Sequence, residues 1–374
     1  MKLNKTILWN RLIYAGYITV ITIIALEILL RFFYPFQKTI AGGKWQLSTN
    51  ITYQLRNIKN QRVDPMVINK RNSIGFRGEN PAGDMNARFT LLTVGGSTTA
   101  CTALDEGKTW TDRLGRHLNK TFTSVWINNA GLDGNSTYGH IKLISNYLSV
   151  LPFKPKVIVF LIGVNDIDRD DISLEDAPET KGFAKKNMQW LENKSATVHF
   201  FRDLERSLYP IEIFKNNGNW NFTNFKAVYL SQSYMDSAIT KQDSLLQAFK
   251  KRLYHLTAAC YKMNILPVFV TQPLVFGNGT LHGGNPAIDF HVFNNDENGQ
   301  LFWKKLTLFN DVTTKVSQEE KIHCIDLATL MPKDTLYYYD SMHYTNEGAE
   351  KVSRIIYEDL NQYLSEKFPQ YLIP

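Results

Sequence analysis

The chain has 374 residues, 44% of them hydrophobic and 21% charged, and carries a formal net charge of +7. That length suits one large domain or two ordinary ones, and the balance is that of a globular chain rather than a disordered one. No dense Lys/Arg run interleaved with aromatics occurs, so nucleic acid is not an expected partner; a modestly basic surface suits anionic lipid or an anionic polymer.

Residues 12–30 are apolar apart from Tyr, Thr and a single charge, Glu27. At 1.5 Å per residue such a helix crosses about 30 Å of hydrocarbon. Lys2, Lys5 and Arg11 precede it and favour a cytoplasmic amino terminus, although Arg31 and Lys38 follow it. Glu27 and Arg31 stand four apart and can meet on one helical face. A cleaved signal peptide is the alternative, but its apolar core would be unusually long and Thr39-Ile-Ala41 is a weak cleavage site. Residues 1–35 are therefore expected to be a cytoplasmic tip and a single-pass signal anchor. The remainder would then be extracytoplasmic, either periplasmic or extracellular.

Residues 36–86 are polar with few long apolar runs and read as a connector lying on the domain. Within it, Asn72-Ser-Ile-Gly-Phe-Arg-Gly78 reads as a turn whose Ile74 and Phe76 can dock. From residue 87 to 374 strands alternate with helices. A buried strand ends at Val94, followed by Gly95-Gly96-Ser97-Thr98, where a helix can start, and a helix covers 110–118. A second strand, beginning near residue 124, stops in Gly131-Leu-Asp-Gly134, and a helix through Ile141 and Leu148 follows. Residues 156–163 form the most apolar strand in the chain. An amphipathic helix over much of 241–262 leads to a strand at 265–271; a fifth strand spans 321–327, and a last helix covers roughly 346–366. This alternation implies a three-layer α/β/α sandwich around a mainly parallel five-stranded sheet. Two stretches break the rhythm: an aromatic-rich insertion at about 167–235, with Trp190, Phe201 and Trp220, and a loop at 275–295 with His282 and His291. Either could roof the sheet's carboxyl edge; equally, both could only pack against each other or a membrane.

Function in such a sheet collects outside the carboxyl ends of the strands. Those ends carry Ser97, Gly131 to Gly134, Gly163-Val-Asn-Asp166 and the turn Tyr339-Asp-Ser-Met-His343. Each has a plain reading: Ser97 as a helix cap, Asn165-Asp166 as turn residues, and His343 as a helix-start histidine. Together they supply a serine, a histidine, a carboxylate three residues from that histidine, and donors for an oxyanion. Acyl transfer from a serine needs that set, because the hydroxyl attacks only when an oriented base takes its proton and donors receive the developing charge. His282 and His291 are the nearest competitors for the base. The three cysteines, Cys101, Cys260 and Cys324, are scattered and have no metal-ligand spacing; no HExxH, CxxC or Asp/His cluster suggests a metal, and no organic cofactor is expected.

In this order the four blocks resemble the SGNH, or GDSL-type, serine hydrolases, over roughly 72–364. The resemblance implies a flavodoxin-like strand order and assigns roles residue by residue. Ser97 is the nucleophile and an oxyanion donor through its N–H; Gly134 and Asn165 complete the oxyanion hole; His343 is the general base and Asp340 its orienter. Gly134 is preferred to Gly131 because the family's donor is the later glycine. The family's Gly-Asp-Ser reads Gly95-Gly96-Ser97 here, which touches none of those roles but loosens the substrate class. The anchor followed by Gly-Phe-Arg-Gly and Gly-Gly-Ser is similar to membrane-anchored bacterial members. The expectation is a serine esterase that removes acetyl or another small acyl group from a glycan or cell-envelope substrate. An O-acyltransferase acting on a polysaccharide, a lipid esterase and a catalytically silent glycan-binding or assembly protein stand as alternatives. Nothing in the sequence indicates an oligomeric state.

Overall fold

The computed structural model describes residues 5–33, 40–42, 45–169, 183–214, 222, 225–277, 286–294 and 297–374. Helix α1 (Lys5–Phe33) is followed by an antiparallel pair, β1 (Ile51–Asn57) and β2 (Met66–Arg71), and by a two-residue strand, β3 (Arg77–Gly78). Strand β4 (Phe89–Gly95) leads into a single helical turn, α2 (Ser97–Ala100), and then α3 (Trp110–Leu118). Strand β5 (Val125–Asn129), helix α4 (Thr137–Lys142) and strand β6 (Val157–Ile162) follow. The insertion supplies α5 (Phe183–Lys194), α6 (Ala196–Leu208) and β7 (Ile211–Ile213). Helices α7 (Gln232–Thr240) and α8 (Asp243–Lys262) lead to β8 (Leu266–Thr271), α9 (Gly299–Glu320), β9 (His323–Ile325) and α10 (Asn346–Lys367).

The main sheet runs β9-β8-β6-β4-β5-β3. The four pairings among β4, β5, β6, β8 and β9 are parallel, so the strands in chain order lie 2-1-3-4-5, the flavodoxin-like arrangement. Every residue of β4 and of β6 is buried, as a strand covered on both faces requires. Helix α3 packs on α10, while α8 packs on α4 and α9. Right-handed crossovers put those two groups on opposite faces. The result is the three-layer sandwich, and its carboxyl edge carries the four loops of interest.

Four expectations are corrected. The sheet has six strands rather than five, because Arg77–Gly78 leaves its turn to pair antiparallel with β5. Two residues are too few to leave a period in the sequence. The segment before the sheet is no bare connector, since β1 and β2 pair there and β7 of the insertion joins them. The helix expected to start at Ser97 stops after one turn at Cys101, which adopts a left-handed φ of 47°; α3 starts afresh at a capping box formed by Thr109 and Asp112. Finally, a 22-residue helix, α9, stands where no element is expected. Its buried stripe includes Lys305, Asn310, Thr313 and Ser317, so polar residues blur the apolar period. Ile74 and Phe76 are buried as expected, and Gly75 closes their turn with a φ of 71°. Trp220 and His282 lie outside the described residues.

Candidate active site

Strand β4 ends at two glycines that permit close packing. A Cβ on Gly95 would lie 2.2 Å from the Thr99 hydroxyl and 2.7 Å from the Leu161 carbonyl; one on Gly96 would lie 2.0 Å from the Asn165 side-chain amide nitrogen. The space that a side chain at residue 96 would need is thus taken by the amide of Asn165. Ser97 opens α2 but does not cap it, since Gly96 holds the capping position and makes no side-chain bond. The Ser97 hydroxyl instead meets His343 Nε2 at 2.7 Å.

The turn behind Ser97 is held from three sides. Trp110 Nε1 donates to the Thr98 carbonyl at 3.1 Å and Asn129 Nδ2 to that of Thr99 at 2.5 Å. The buried guanidinium of Arg77 donates to the carbonyls of Ala100, Cys101 and Leu104 at 3.1, 3.0 and 2.6 Å, and pairs with Glu106 at 2.7 Å. A helix this short leaves its last carbonyls without internal partners, and Arg77 supplies them. Sequence reasoning noticed the Gly-Phe-Arg-Gly motif without finding this role.

His343 stands in a turn that Asp340 organises. One Asp340 oxygen accepts the N–H groups of Met342 and His343 at 2.9 and 2.8 Å, and the other meets His343 Nδ1 at 2.7 Å. Tyr339 stacks on the imidazole with centroids 5.5 Å apart and planes 11° apart. Burial lowers the His343 pKa, but the charge and hydrogen bond of Asp340, with a smaller contribution from Asp133, overcome it and raise the group above 6.5. Burial likewise pushes Asp340 up, yet the paired imidazole and the two backbone N–H donors leave it below the usual carboxylate range. About a quarter of each side chain remains exposed, so the pair faces solvent.

Asn165 sits on a 3-10 turn (Val164–Asp166) after β6 and donates to the Asn135 carbonyl at 2.9 Å. That same carbonyl lies 3.3 Å from the position of a Gly96 Cβ, so the second and third loops meet beside the serine. Beneath them, buried Asp166 binds Thr137 Oγ1 at 2.5 Å and Arg252 at 3.1 Å, tying the two loops together. Gly134 is exposed with a φ of 73°, and among the described residues no hydrogen bond takes up its N–H or links it to Ser97, His343 or Asp340. Gly131 has another duty: a Cβ there would lie 2.3 Å from the Ala100 nitrogen, against α2. The structure therefore brings Ser97, His343 and Asp340 into one chain of contacts and sets Asn165 beside them. It places Gly134 on the adjoining loop, with its carbonyl accepting from Arg169 and its N–H unclaimed among the described residues. His291 is elsewhere, buried and stacked on Phe225 with centroids 4.5 Å apart.

Residues 93–351 match the model of the GDSL-like Lipase/Acylhydrolase family. No curated protein matches the chain. Solved structures similar to it include an acetylxylan esterase from Geobacillus stearothermophilus, 13% identical over 72% of this chain and 93% of that one, with a TM-score of 0.40. A lipase/acylhydrolase from Enterococcus faecalis is 14% identical over 76% and 98%, also with a TM-score of 0.40. An alpha/beta hydrolase enzyme from the metagenome of Lake Arreo, Spain, is 13% identical over 74% and 96%, with a TM-score of 0.41.

Proposed function

The chain belongs to the GDSL-like lipase/acylhydrolase family and is a carboxylic ester hydrolase, and from that premise we propose that it works through an acyl-enzyme on Ser97. His343 Nε2 takes the Ser97 proton as Oγ adds to the ester carbonyl. Asp340 holds the ring in the tautomer that leaves Nε2 free to accept, and steadies the imidazolium that forms. The tetrahedral oxyanion is received by the N–H of Ser97, the N–H of Gly134 and the side-chain amide of Asn165. His343 then protonates the departing alkoxide. In the second half it deprotonates water, which displaces the acid from Ser97. The observation that carries this reading is the pair of 2.7 Å contacts from Ser97 to His343, 246 residues apart, and from His343 on to Asp340.

The proposed substrate is a small acyl ester, acetyl first, on a glycan or cell-envelope polymer. Support comes from α1, in which residues Trp9–Phe33 are long and apolar enough to cross a membrane. We read α1 as a retained anchor with the domain outside the cytoplasm; a cleaved signal would abandon the contacts that Glu27 and Arg31 make with the insertion. The test is hydrolysis of p-nitrophenyl esters from acetyl upward, with Ser97→Ala beside the parent. Loss of about a thousandfold or more in kcat is expected for the variant, and a rate falling with acyl length for the parent. A variant that keeps the parent's rate would overturn the serine mechanism, and a preference for long chains would replace the small-acyl reading with a lipid esterase.

A further inference from the structure

Glu27, the single charge within the apolar core of α1, is not left to lipid. Its carboxylate accepts the Ala196 and Thr197 N–H groups, each at 3.0 Å, and the Ser195 hydroxyl at 2.8 Å. It therefore caps the start of α6, satisfying donors that a helix cannot pair internally. Arg31, one turn further, bonds Glu27 at 2.8 Å and the Lys194 carbonyl at 2.6 Å, the end of α5. The α5–α6 junction is thus pinned to α1 at the level of Glu27.

That level can be placed. The 25-residue span is about 37 Å long against about 30 Å of hydrocarbon, and Glu27 lies about 9 Å short of its end at Phe33. Depending on how the excess is shared, Glu27 lies about 2–9 Å inside the outer edge of the hydrocarbon, the depth to which an interfacial helix sinks its apolar face. The two helices suit such a place, because several of their charges pair beneath them while an apolar stripe faces out, with the exposed pair Arg202–Glu205 at its margin. Glu192, Arg206 and Asp203 point inward, with Arg206 bonded to Glu192 at 2.6 Å and to Asp203 at 2.8 Å. Outward, Phe201, Leu204 and Leu208 form a stripe at helical spacing, 54%, 43% and 63% exposed, flanked by Trp190 and Tyr209 at 60% and 73%. Isolated exposed apolar residues are ordinary, but a continuous stripe beside an apolar span has a solvent to match. Indole and phenol rings beside it suit the membrane interface.

We infer that the α5–α6 hairpin is a membrane seat, lying with its apolar stripe in the outer interface of the same bilayer that α1 crosses. The inference rests on the reading of α1 as a retained anchor. Its consequence reaches the reaction, because α6 continues through β7 to Phe214. The ring of Phe214 packs edge-on against Tyr339 at 5.6 Å, and Tyr339 stacks on His343. The site is therefore held at a set height above the lipid.

The test uses the full chain in phosphatidylcholine/phosphatidylglycerol vesicles. An NBD label is placed singly at Ile18→Cys in α1, at Leu204→Cys in α6, or at Val150→Cys, exposed at the amino edge of the sheet. Unsubstituted protein serves as the blank for Cys101, Cys260 and Cys324. With doxyl-labelled phosphatidylcholine in the bilayer, the labels at 18 and 204 should lose emission and the label at 150 should not. Quenching at 18 without quenching at 204 overturns the seat and leaves the span standing. No quenching at 18 overturns the span and the seat with it. Emission at 204 that responds to protein dilution but not to doxyl lipid overturns the seat in favour of a second copy of the chain. Leu208→Cys repeats the measurement one turn away.

Discussion

Ser97 and Glu27 both lie against the start of a helix, and the surroundings of the two are built by opposite rules. Around Ser97 the backbone is enclosed: Arg77, Trp110 and Asn129 take up the carbonyls of α2, and the glycines at 95, 96 and 131 let neighbouring chains approach within contact distance. Apolar groups point inward there and the reactive groups reach outward. Around Glu27 the charges turn inward and pair, while Phe201, Leu204 and Leu208 face out. The first arrangement is what burial from water produces; the second fits a surface whose solvent is lipid. On the proposed reading, one chain carries a platform for placing the nucleophile and an apolar face for placing the platform.

Four changes would sharpen or break that contrast. The largest effect belongs to Asp340→Asn, expected to lower kcat by about 10⁴-fold through loss of the correct tautomer. Because His343 must be neutral to take a proton and its pKa is raised above 6.5, the parent's kcat/KM should fall as pH drops through a midpoint above 6.5. Without Asp340 that midpoint should move to lower pH, and an unmoved midpoint in the pH–rate profile would contradict the pairing. Next comes Phe160→Ala in the centre of β6, where the ring packs edge-on against Phe269 at 5.8 Å. A loss of about 3–5 kcal/mol in urea unfolding is expected. Asn165→Ala should cost about 10²–10³-fold in kcat with little change in KM, because its amide is assigned to the transition state. A matching rise in KM would instead mark it as a substrate-binding group. The smallest effect is expected from Leu204→Ser, within about 0.5 kcal/mol of the parent in detergent and unchanged on p-nitrophenyl acetate. A large loss of stability there would mean that the stripe is packed like a core, and the contrast between the two regions would fail.

Much of the platform is legible in the chain itself. Continuous apolar runs such as 156–163 announce buried parallel strands, and their ends announce where chemistry gathers. The contact between Asp340 and His343 spans three residues, so one turn suffices to foresee it. The insertion is legible only as a departure from rhythm. Helix α9 is hidden because its buried side carries lysine, asparagine, threonine and serine, and β3 is too short to leave a pattern.

By itself, then, the sequence determined the strand order's raw material, the four loops and the local turn that pairs a carboxylate with an imidazole, since these depend on neighbours within a few residues. Tertiary structure alone decided the rest. It closed the 246-residue separation between Ser97 and His343, lodged the Asn165 amide where Gly96 lacks a side chain, and sent Arg77 to the end of α2. It also joined Glu27 to a helix start 169 residues away. Contacts of that range leave no periodicity in a chain, because they arise only when the packed sheet brings distant segments to the same edge.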